Sequence, residues 1–447
     1  MNKRIFGWYF FDWASQPYHT VLLTFVFGPF FAATATQYFA GAGLEEQAAD
    51  ARAQSLWSFT LTIAGLIVAF AAPILGALAD ATGRRKVWVG VFSLFCVLGA
   101  SSLWVTEPDG SNLTFALFVF GVGFVAVEFA QIFVNSQLPG LGPREDIGRV
   151  SGSGFSFGYL GGFIALLASL GLLVEQVSGA TVFGLPPGFG LLDAGASEGT
   201  RAVGPFVALW FAVFMIPYFL WVKEDRSNSR ATFSDGLARL GTTIRGLASR
   251  PSLASFLGGS MLYRDALNGL YAFGGTYAAL VLDWSVSQVG VFGIIAVIAA
   301  AAFSFVGGRL DKRFGPKPVV TVSLIALIVV CLVIVWFDRV PDSLFMVCGV
   351  LIGGFGGIAQ AASRTLMSHH SEVGSETQSF GLYGLAGRAT SFLAPFLIGA
   401  VTVATGSVQN GVLPLILLFL LGLLLLRWTK PEGDRADQWS ELSSPSS

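Results

Sequence analysis

Charge is scarce in this sequence: only 12% of the 447 residues are Asp, Glu, Lys or Arg, where soluble domains average about 25%. A chain so short of polar side chains cannot clothe itself against water, which excludes an ordinary soluble domain. The formal net charge of -1, with no basic patch and no interleaved aromatics, excludes a nucleic-acid partner. Cysteine is nearly absent. Cys96, Cys331 and Cys348 stand in apolar runs without CxxC spacing, so neither a disulfide framework nor a thiolate metal site is available. Three histidines, two of them adjacent, make no zinc cluster. No GxxxxGK[ST] phosphate loop occurs, so neither nucleotide nor other cofactor is expected, and uphill work must be ion-coupled or driven by another protein. No His, Cys or Ser nucleophile constellation points to an enzyme.

What is present is apolar: 54% of the residues are hydrophobic and 14% aromatic. Apolar segments run over 5–38, 55–79, 87–105, 113–135, 150–173 and 205–222, then 252–282, 288–310, 318–337, 343–366, 380–402 and 411–427. At ~20 residues per bilayer crossing, they predict an all-α membrane protein of twelve transmembrane helices. Lys3 and Arg4 ahead of 21–31 and Ala33-Thr34-Ala35 imitate a secretion signal. Asp12 and the long approach do not suit its charged region, so this stretch is read as the first span.

Lys and Arg sort by loop. With the N-terminus inside, 20 of the 26 fall in inner segments and 3 outside (Arg52, Arg201, Arg339). Arg364 sits at an inner helix end, and Arg264 and Arg388 lie within spans. The excess places both termini in the cytoplasm, and the expected location is a bacterial inner membrane. The expected domains are a six-helix bundle at 1–222, a cytoplasmic linker at 223–251, a second bundle at 252–430 and a disordered tail at 431–447. Within the linker, Phe233, Leu237, Leu240, Ile244 and Leu247 recur at helical spacing between arginines, predicting an amphipathic helix on the inner membrane surface. The outer segment 174–204, rich in Gly and Pro, reads as a long loop or a lid.

The two halves repeat. GALADATGRRK (76–86) and GGRLDKRFGPK (307–317) occupy corresponding loops, and Gln131 and Asn135 match Gln360 and Arg364 at an offset of 229. Parallel repeats of this size are a transporter architecture with the solute near the midplane between halves. The repeated loop resembles the signature between spans two and three of the major facilitator superfamily, through Gly76, Asp80, Gly83, Arg84 and Arg85. Ala81 stands where that signature has a basic residue, and Asp311 lies one position early relative to Gly315. The resemblance implies the major facilitator fold, two pseudo-symmetric six-helix halves, and a conformational gate at Asp80, Arg84, Arg85 and Asp311. YFFDWASQPYHTVLLTFVFGPFF (9–31), NSQLPGLGPREDIGRVSGSGFSFGYLGG (135–162) and SFGLYGLAGRATSFLAPFLIG (379–399) further resemble the vacuole effluxer-like family. Membership there implies amino-acid export. Gly154, Gly158 and Gly162, and Gly349, Gly353 and Gly357, form GxxxGxxxG faces that close helix packing explains without antiport.

Five ionisable residues fall in spans: Asp12, Glu128, Arg264, Asp265 and Arg388. Each costs ~2.5–3.5 kcal/mol on insertion scales, so each should face a partner or a wet cavity. FDWASQPY and RDALNGLY each place a tyrosine, Tyr18 or Tyr271, six residues after the aspartate, making Asp12 and Asp265 counterparts. Asp12, Gln16 and His19, then Arg264, Asn268 and Tyr271, then Glu128, Gln131 and Asn135, each share a helix face. Three polar stripes predict a cavity for a small polar solute. Arg264, Asp265, Asn268, Glu128, Gln131, Gln360 and Arg388 are the expected binding residues, and Asp12 and Asp265 the expected carriers of a coupling proton. Asp12 is preferred, because no cation lies within a helical turn of it while Arg264 adjoins Asp265. His19 is the weaker candidate, as a hydrogen-bonded interfacial histidine. The sequence therefore predicts a monomeric secondary active exporter of a small solute such as an amino acid, proton-coupled, in a lipid bilayer. A membrane-embedded enzyme and a non-transporting channel or receptor are the alternatives on the same scaffold.

Overall fold

The computed structural model describes residues 2–223, 241–242, 245–337 and 339–434, and among them the regular structure is helical throughout. In a bilayer only structure that satisfies its own backbone survives, and helices do so within one segment. The long helical runs are α1 Lys3–Gly41, α2 Glu46–Thr82, α3 Arg85–Val105, α4 Leu113–Asn135, α5 Arg144–Leu173 and α6 Glu198–Trp221. They continue with α7 Pro251–Leu280, α8 Gln288–Phe314, α9 Pro316–Trp336, α10 Asp342–His370, α11 Glu376–Thr405 and α12 Gln409–Leu426. All but α7 are long and apolar enough to cross a membrane, which makes 11. The exception, α7, is 30 residues long and carries Arg264 and Asp265 near its centre. Large apolar side chains such as Phe70 (68% exposed) and Leu209 (64%) face outward, as a lipid-facing surface requires.

The chain divides into two compact units. The first comprises residues 1–67, 86–131 and 157–223, and the second 68–85, 132–156 and 224–447; α2, α4 and α5 therefore contribute to both. In the first unit α1 is irregular. Pro17 lies inside it and a π-helical stretch, Tyr18–Phe25, follows. The Thr24 hydroxyl donates to the His19 carbonyl at 2.8 Å, satisfying an oxygen that the widened turn loosens. Such π segments concentrate at functional sites. The glycine face of α5 receives α1: a Cβ on Gly158 would stand 3.1 Å from the Asp12 Cβ, and one on Gly161 2.7 Å from the Trp13 carbonyl oxygen. Aromatic rings fill the space around this crossing, with Trp13 and Phe157 4.5 Å apart and Trp210 and Phe214 4.6 Å apart.

In the second unit, the glycine face of α10 lies on α8. A Cβ on Gly357 would come within 2.6 Å of the Ser304 hydroxyl, and one on Gly353 within 2.8 Å of the Ala296 carbonyl carbon. Both glycine faces thus serve close backbone approach. Helix α11 is interrupted: its first part ends at Arg388 and its second begins at Leu393. Between them Leu393 N–H donates to the Thr390 carbonyl at 2.7 Å, a tighter turn than an α-helix makes.

The amphipathic stretch Phe233, Leu237, Leu240 and Ile244 lies outside the described residues. Leu247 opens a short 3-10 turn, Leu247–Ser249, leading into α7. The segment expected to be disordered from 431 onward is anchored over its first residues. The Asp434 carboxylate accepts the Ser252 and Leu253 N–H groups at 3.3 and 3.0 Å. An otherwise unsatisfied helix start recruits an acidic cap, which the polar composition of the tail did not reveal.

The α1–α5 crossing yields a test. Gly161→Val would drive a branched side chain into the backbone of Trp13, an overpacking that costs about 1–3 kcal/mol. The detergent-solubilised variant is expected to unfold at a lower temperature than the parent; an unchanged midpoint would mean that the crossing is loose.

Candidate functional site

Polar side chains are grouped differently in the two units. In the first, π-stretch His19 meets α4: its Nε2 lies 3.1 Å from Glu128 Oε1, with side chains 25% and 13% exposed. This contact joins the predicted α1 and α4 stripes side chain to side chain. Asp12 is buried against the α5 glycine face, Gln16 lies 3.5 Å from the Thr20 hydroxyl, and Gln131 is half-buried. Tyr18, also buried, donates to the Phe120 carbonyl at 2.7 Å.

In the second unit, Arg264 and Asp265 are neighbours in sequence yet turn away from each other. Successive helical residues are ~100° apart, and each finds its partner elsewhere. Arg264 donates to the Tyr383 carbonyl at 2.9 Å, and its guanidinium carbon lies 4.2 Å from the centre of the Tyr383 ring. It fits there because residue 387 is glycine: a Cβ at that position would be 2.5 Å from the guanidinium. No carboxylate pairs with Arg264 among the described residues. Asp265 is 2% exposed. One of its oxygens accepts the Ala394 N–H at 3.0 Å, and the other has no hydrogen-bond partner. Asn268 is exposed, and Arg388, half-buried, ends the first part of α11. Gln360 donates to the Tyr271 hydroxyl at 3.3 Å.

A third cluster belongs to the second unit. The Asp80 side chain is only 1% exposed, and it accepts from Arg85 at 2.7 Å. It also accepts the N–H groups of Thr377 at 3.1 Å and Gln378 at 2.8 Å, in the first turn of α11. Arg85 bridges onward to Glu376. An acid at a helix N-terminus and a shared guanidinium form a compact charge-assisted lock. Arg84, by contrast, is exposed. Asp311 does not repeat the arrangement of Asp80. It is buried against Gly148, and its Oδ2 has no partner, while its neighbour Lys312 pairs with Asp146 at 2.6 Å.

Sequence reasoning passed over Arg364 as a site residue. Its side chain is almost fully buried and donates to the Ser151 carbonyl at 2.7 Å, the Ser151 hydroxyl at 3.0 Å and Asn135 Oδ1 at 3.1 Å. It also lies over the Phe155 ring at 4.1 Å. The signal was present: Asn135 and Arg364 are repeat counterparts, and here the counterparts bond to each other. Glu376 was missed as well, since nothing in its local sequence ties it to Arg85.

Comparison with known proteins gives first the class and then the family. The fold is that of major facilitator transporters. Residues 3–166 match the Major Facilitator Superfamily itself. The human organic anion transporter MFSD10 superposes with a TM-score of 0.70 at 17% identity, over 95% of this chain and 99% of that one. The proton:xylose symporter XylE superposes with a TM-score of 0.72 at 12% identity, over 99% and 98%. Residues 142–438 match the family described as vacuole effluxer Atg22 like, and the chain belongs to that family. An uncharacterized MFS-type transporter of Bacillus subtilis, YxiO, is 24% identical over 436 residues, 96% of each chain. Autophagy-related protein 22 of Yarrowia lipolytica is 24% identical over 318 residues, 62% of this chain and 50% of the fungal one. This chain spans about half the length of such fungal relatives.

The Asp80 lock generates a prediction. Asp80→Asn keeps the shape but loses the charge that holds Arg85 and the α11 amides. If the lock acts as the expected conformational gate, solute flux should fall severalfold while equilibrium solute binding stays within roughly threefold, because a gate biases a conformational equilibrium instead of touching solute. A large loss of affinity at unchanged turnover would refute that division of labour.

Proposed function

We propose that this protein is a secondary active transporter that moves a small polar solute, an amino acid in the best-supported form, by alternating access. The proposed spans are twelve, α1 to α12, in two six-helix halves with both termini cytoplasmic, and the proposed direction is export with proton coupling. Family membership and fold support transport as the class. The preponderance of Lys and Arg in alternate loops supports the orientation.

The observation that carries the solute assignment is Arg264. A guanidinium near the middle of a long helix, part-exposed and unneutralised by any carboxylate among the described residues, is an expensive arrangement in a bilayer. A solute carboxylate would neutralise it, and the planar fork of donors suits that group. The Tyr383 ring and the gap at Gly387 hold the guanidinium in place without saturating its donors. Asn268, Gln360 and Arg388 of the second unit are proposed as further polar contacts of the solute, and Glu128 and Gln131 are proposed separately as polar contacts in the first unit. Asp12 remains a proposed participant in coupling.

The direct test is counterflow of a labelled amino-acid mixture in proteoliposomes, since only a carrier exchanges label at zero net gradient. Exchange is expected. A protein that conducts net flux but does not exchange would be a channel. Arg264→Gln is expected to abolish binding of carboxylate solutes, and Arg388→Gln to weaken it less. Gly387→Ala should reduce affinity while leaving the unfolding temperature near that of the parent, because the displaced group is the flexible end of an arginine. Equal binding by the parent and Arg264→Gln, measured by thermal shift against single amino acids, would sink the assignment.

A further inference from the structure

A buried carboxylate oxygen without a hydrogen bond is rare in native structures and costly wherever it occurs. Asp265 has one, in a side chain 2% exposed, near the centre of α7. Its other oxygen does structural work. In an unbroken helix the Ala394 N–H would bond to the Thr390 carbonyl. Here that carbonyl is taken by Leu393, and the Ala394 N–H is received by Asp265 instead. Asp265 is therefore an interhelical cap on the second part of α11, which runs Leu393–Thr405.

The surrounding charges do not neutralise it. On its own helix Arg264 is engaged with Tyr383, and the Tyr263 hydroxyl lies 2.7 Å from the Ser363 hydroxyl. From α11 come Tyr383, which faces Arg264, and Arg388, which ends the first part of that helix. From α10 comes Arg364, bound to Ser151 and Asn135. Helix α12 carries no titratable side chain, and the charged groups of α8 lie in its last turns, from Arg309 to Arg313. Asp265 makes no ion pair among the described residues.

We propose that Asp265 is the site of the coupling proton, and that loading and unloading of its open oxygen is transmitted to the α11 break through the cap on Ala394. The proposal deepens the transport reading above and rests on it. It reverses the preference for Asp12, which assumed that Arg264 would sit against Asp265. A proton suits this oxygen better than a metal cation does. It needs one acceptor, whereas a sodium ion needs a shell of several oxygens, and no such shell surrounds Asp265 among the polar contacts described. The oxygen is also sealed from solvent, so a solute ammonium cannot reach it in this conformation. When the proton leaves, the bare carboxylate needs water or a cation, and the break that it caps must loosen to admit either. Broken helices near a bound ion are one way in which transporters join ion binding to movement.

The first test needs no solute. Infrared difference spectra of the purified full-length protein, in normal and heavy water at neutral pH, should show a protonated carboxyl C=O band. The band should be lost in Asp265→Asn and kept in Asp12→Asn. If Asp265→Asn cannot be recovered folded, Asp265→Glu serves, because a glutamic acid absorbs at a different frequency. A parent-minus-variant difference that shows no carboxyl C=O band lost in Asp265→Asn, or none shifted in Asp265→Glu, overturns the proposal. The second test uses the labelled amino-acid mixture in proteoliposomes. Whatever counterflow Asp265→Asn retains should no longer be converted into accumulation by a pH gradient, whereas full pH-driven accumulation in that variant would overturn the proposal. An inward sodium gradient that replaces the pH gradient in the parent would overturn it too. Absence of counterflow in the parent would refute the transport reading, while the infrared result would still decide whether Asp265 holds a proton.

Discussion

The bilayer interior leaves a polar group with few alternatives: it finds a partner inside the protein or it costs several kcal/mol. Much of this structure follows from how each such group is satisfied. Asp80 is held by two backbone N–H groups as well as by Arg85. Arg364 is held by a carbonyl, a hydroxyl and an amide oxygen, and Asp434 by two amides at the start of α7. For the two aspartates part or all of the balance comes from backbone N–H groups at a helix start, and for Arg364 these contacts come from neutral oxygens, so none of the three rests on an opposite charge alone. Such pairings are directional and short in reach, so a small shift of one helix breaks them altogether. That is a property suited to a structure that must occupy two states.

The two copies of the repeated loop show how one motif takes on two physical characters. Asp80 and Asp311 occupy related strings, but the second aspartate lies one position closer to the chain's N-terminus relative to its glycine. On a helix, one residue is a rotation of ~100°. That rotation separates an acid that caps α11 from an acid pressed against Gly148 with an oxygen unpartnered. The basic residue that follows, Lys312, then pairs with Asp146 instead. A repeat therefore need not give equal contacts: the first aspartate is itself held by a guanidinium and two amides, while beside the second the ion pair is made by its neighbour Lys312.

The sequence made legible whatever depends on composition and period. Long apolar runs announced the helices, and the glycines at every fourth position in α5 and α10 announced close crossings. The offset of 229 between Asn135 and Arg364 announced equivalent positions. It did not make legible contacts that depend on where a helix ends in space. The π stretch after Pro17 sets the position at which His19 meets Glu128, and no i, i+4 counting anticipates it. The break after Arg388 was hidden from a count of apolar residues, although Thr390, Ser391 and Pro395 mark it. With it was hidden the amide that Asp265 receives. The capping role of Asp434 was hidden for the same reason, because a polar tail gives no sign of what it will touch.

Arg264 and Asp265 show why adjacency in sequence misleads in a helix. Side by side on paper, they suggest an ion pair that would silence both. Their directions diverge by about a quarter-turn, and the ring of Tyr383 draws the cation one way while the amide of Ala394 draws the anion another. Pairing them would neutralise a part-exposed cation and a buried anion and leave neither charge open to a ligand. Keeping them apart leaves a cation that lacks a carboxylate and a carboxylate that lacks a cation. These are complementary demands, which in the proposed reading an anionic group on a solute and a proton would meet. Both partners of α7 belong to α11, on either side of its break. In the proposed reading, whatever satisfies one demand would act on the same helix that answers the other, and such a shared element is what a coupling between solute and ion requires.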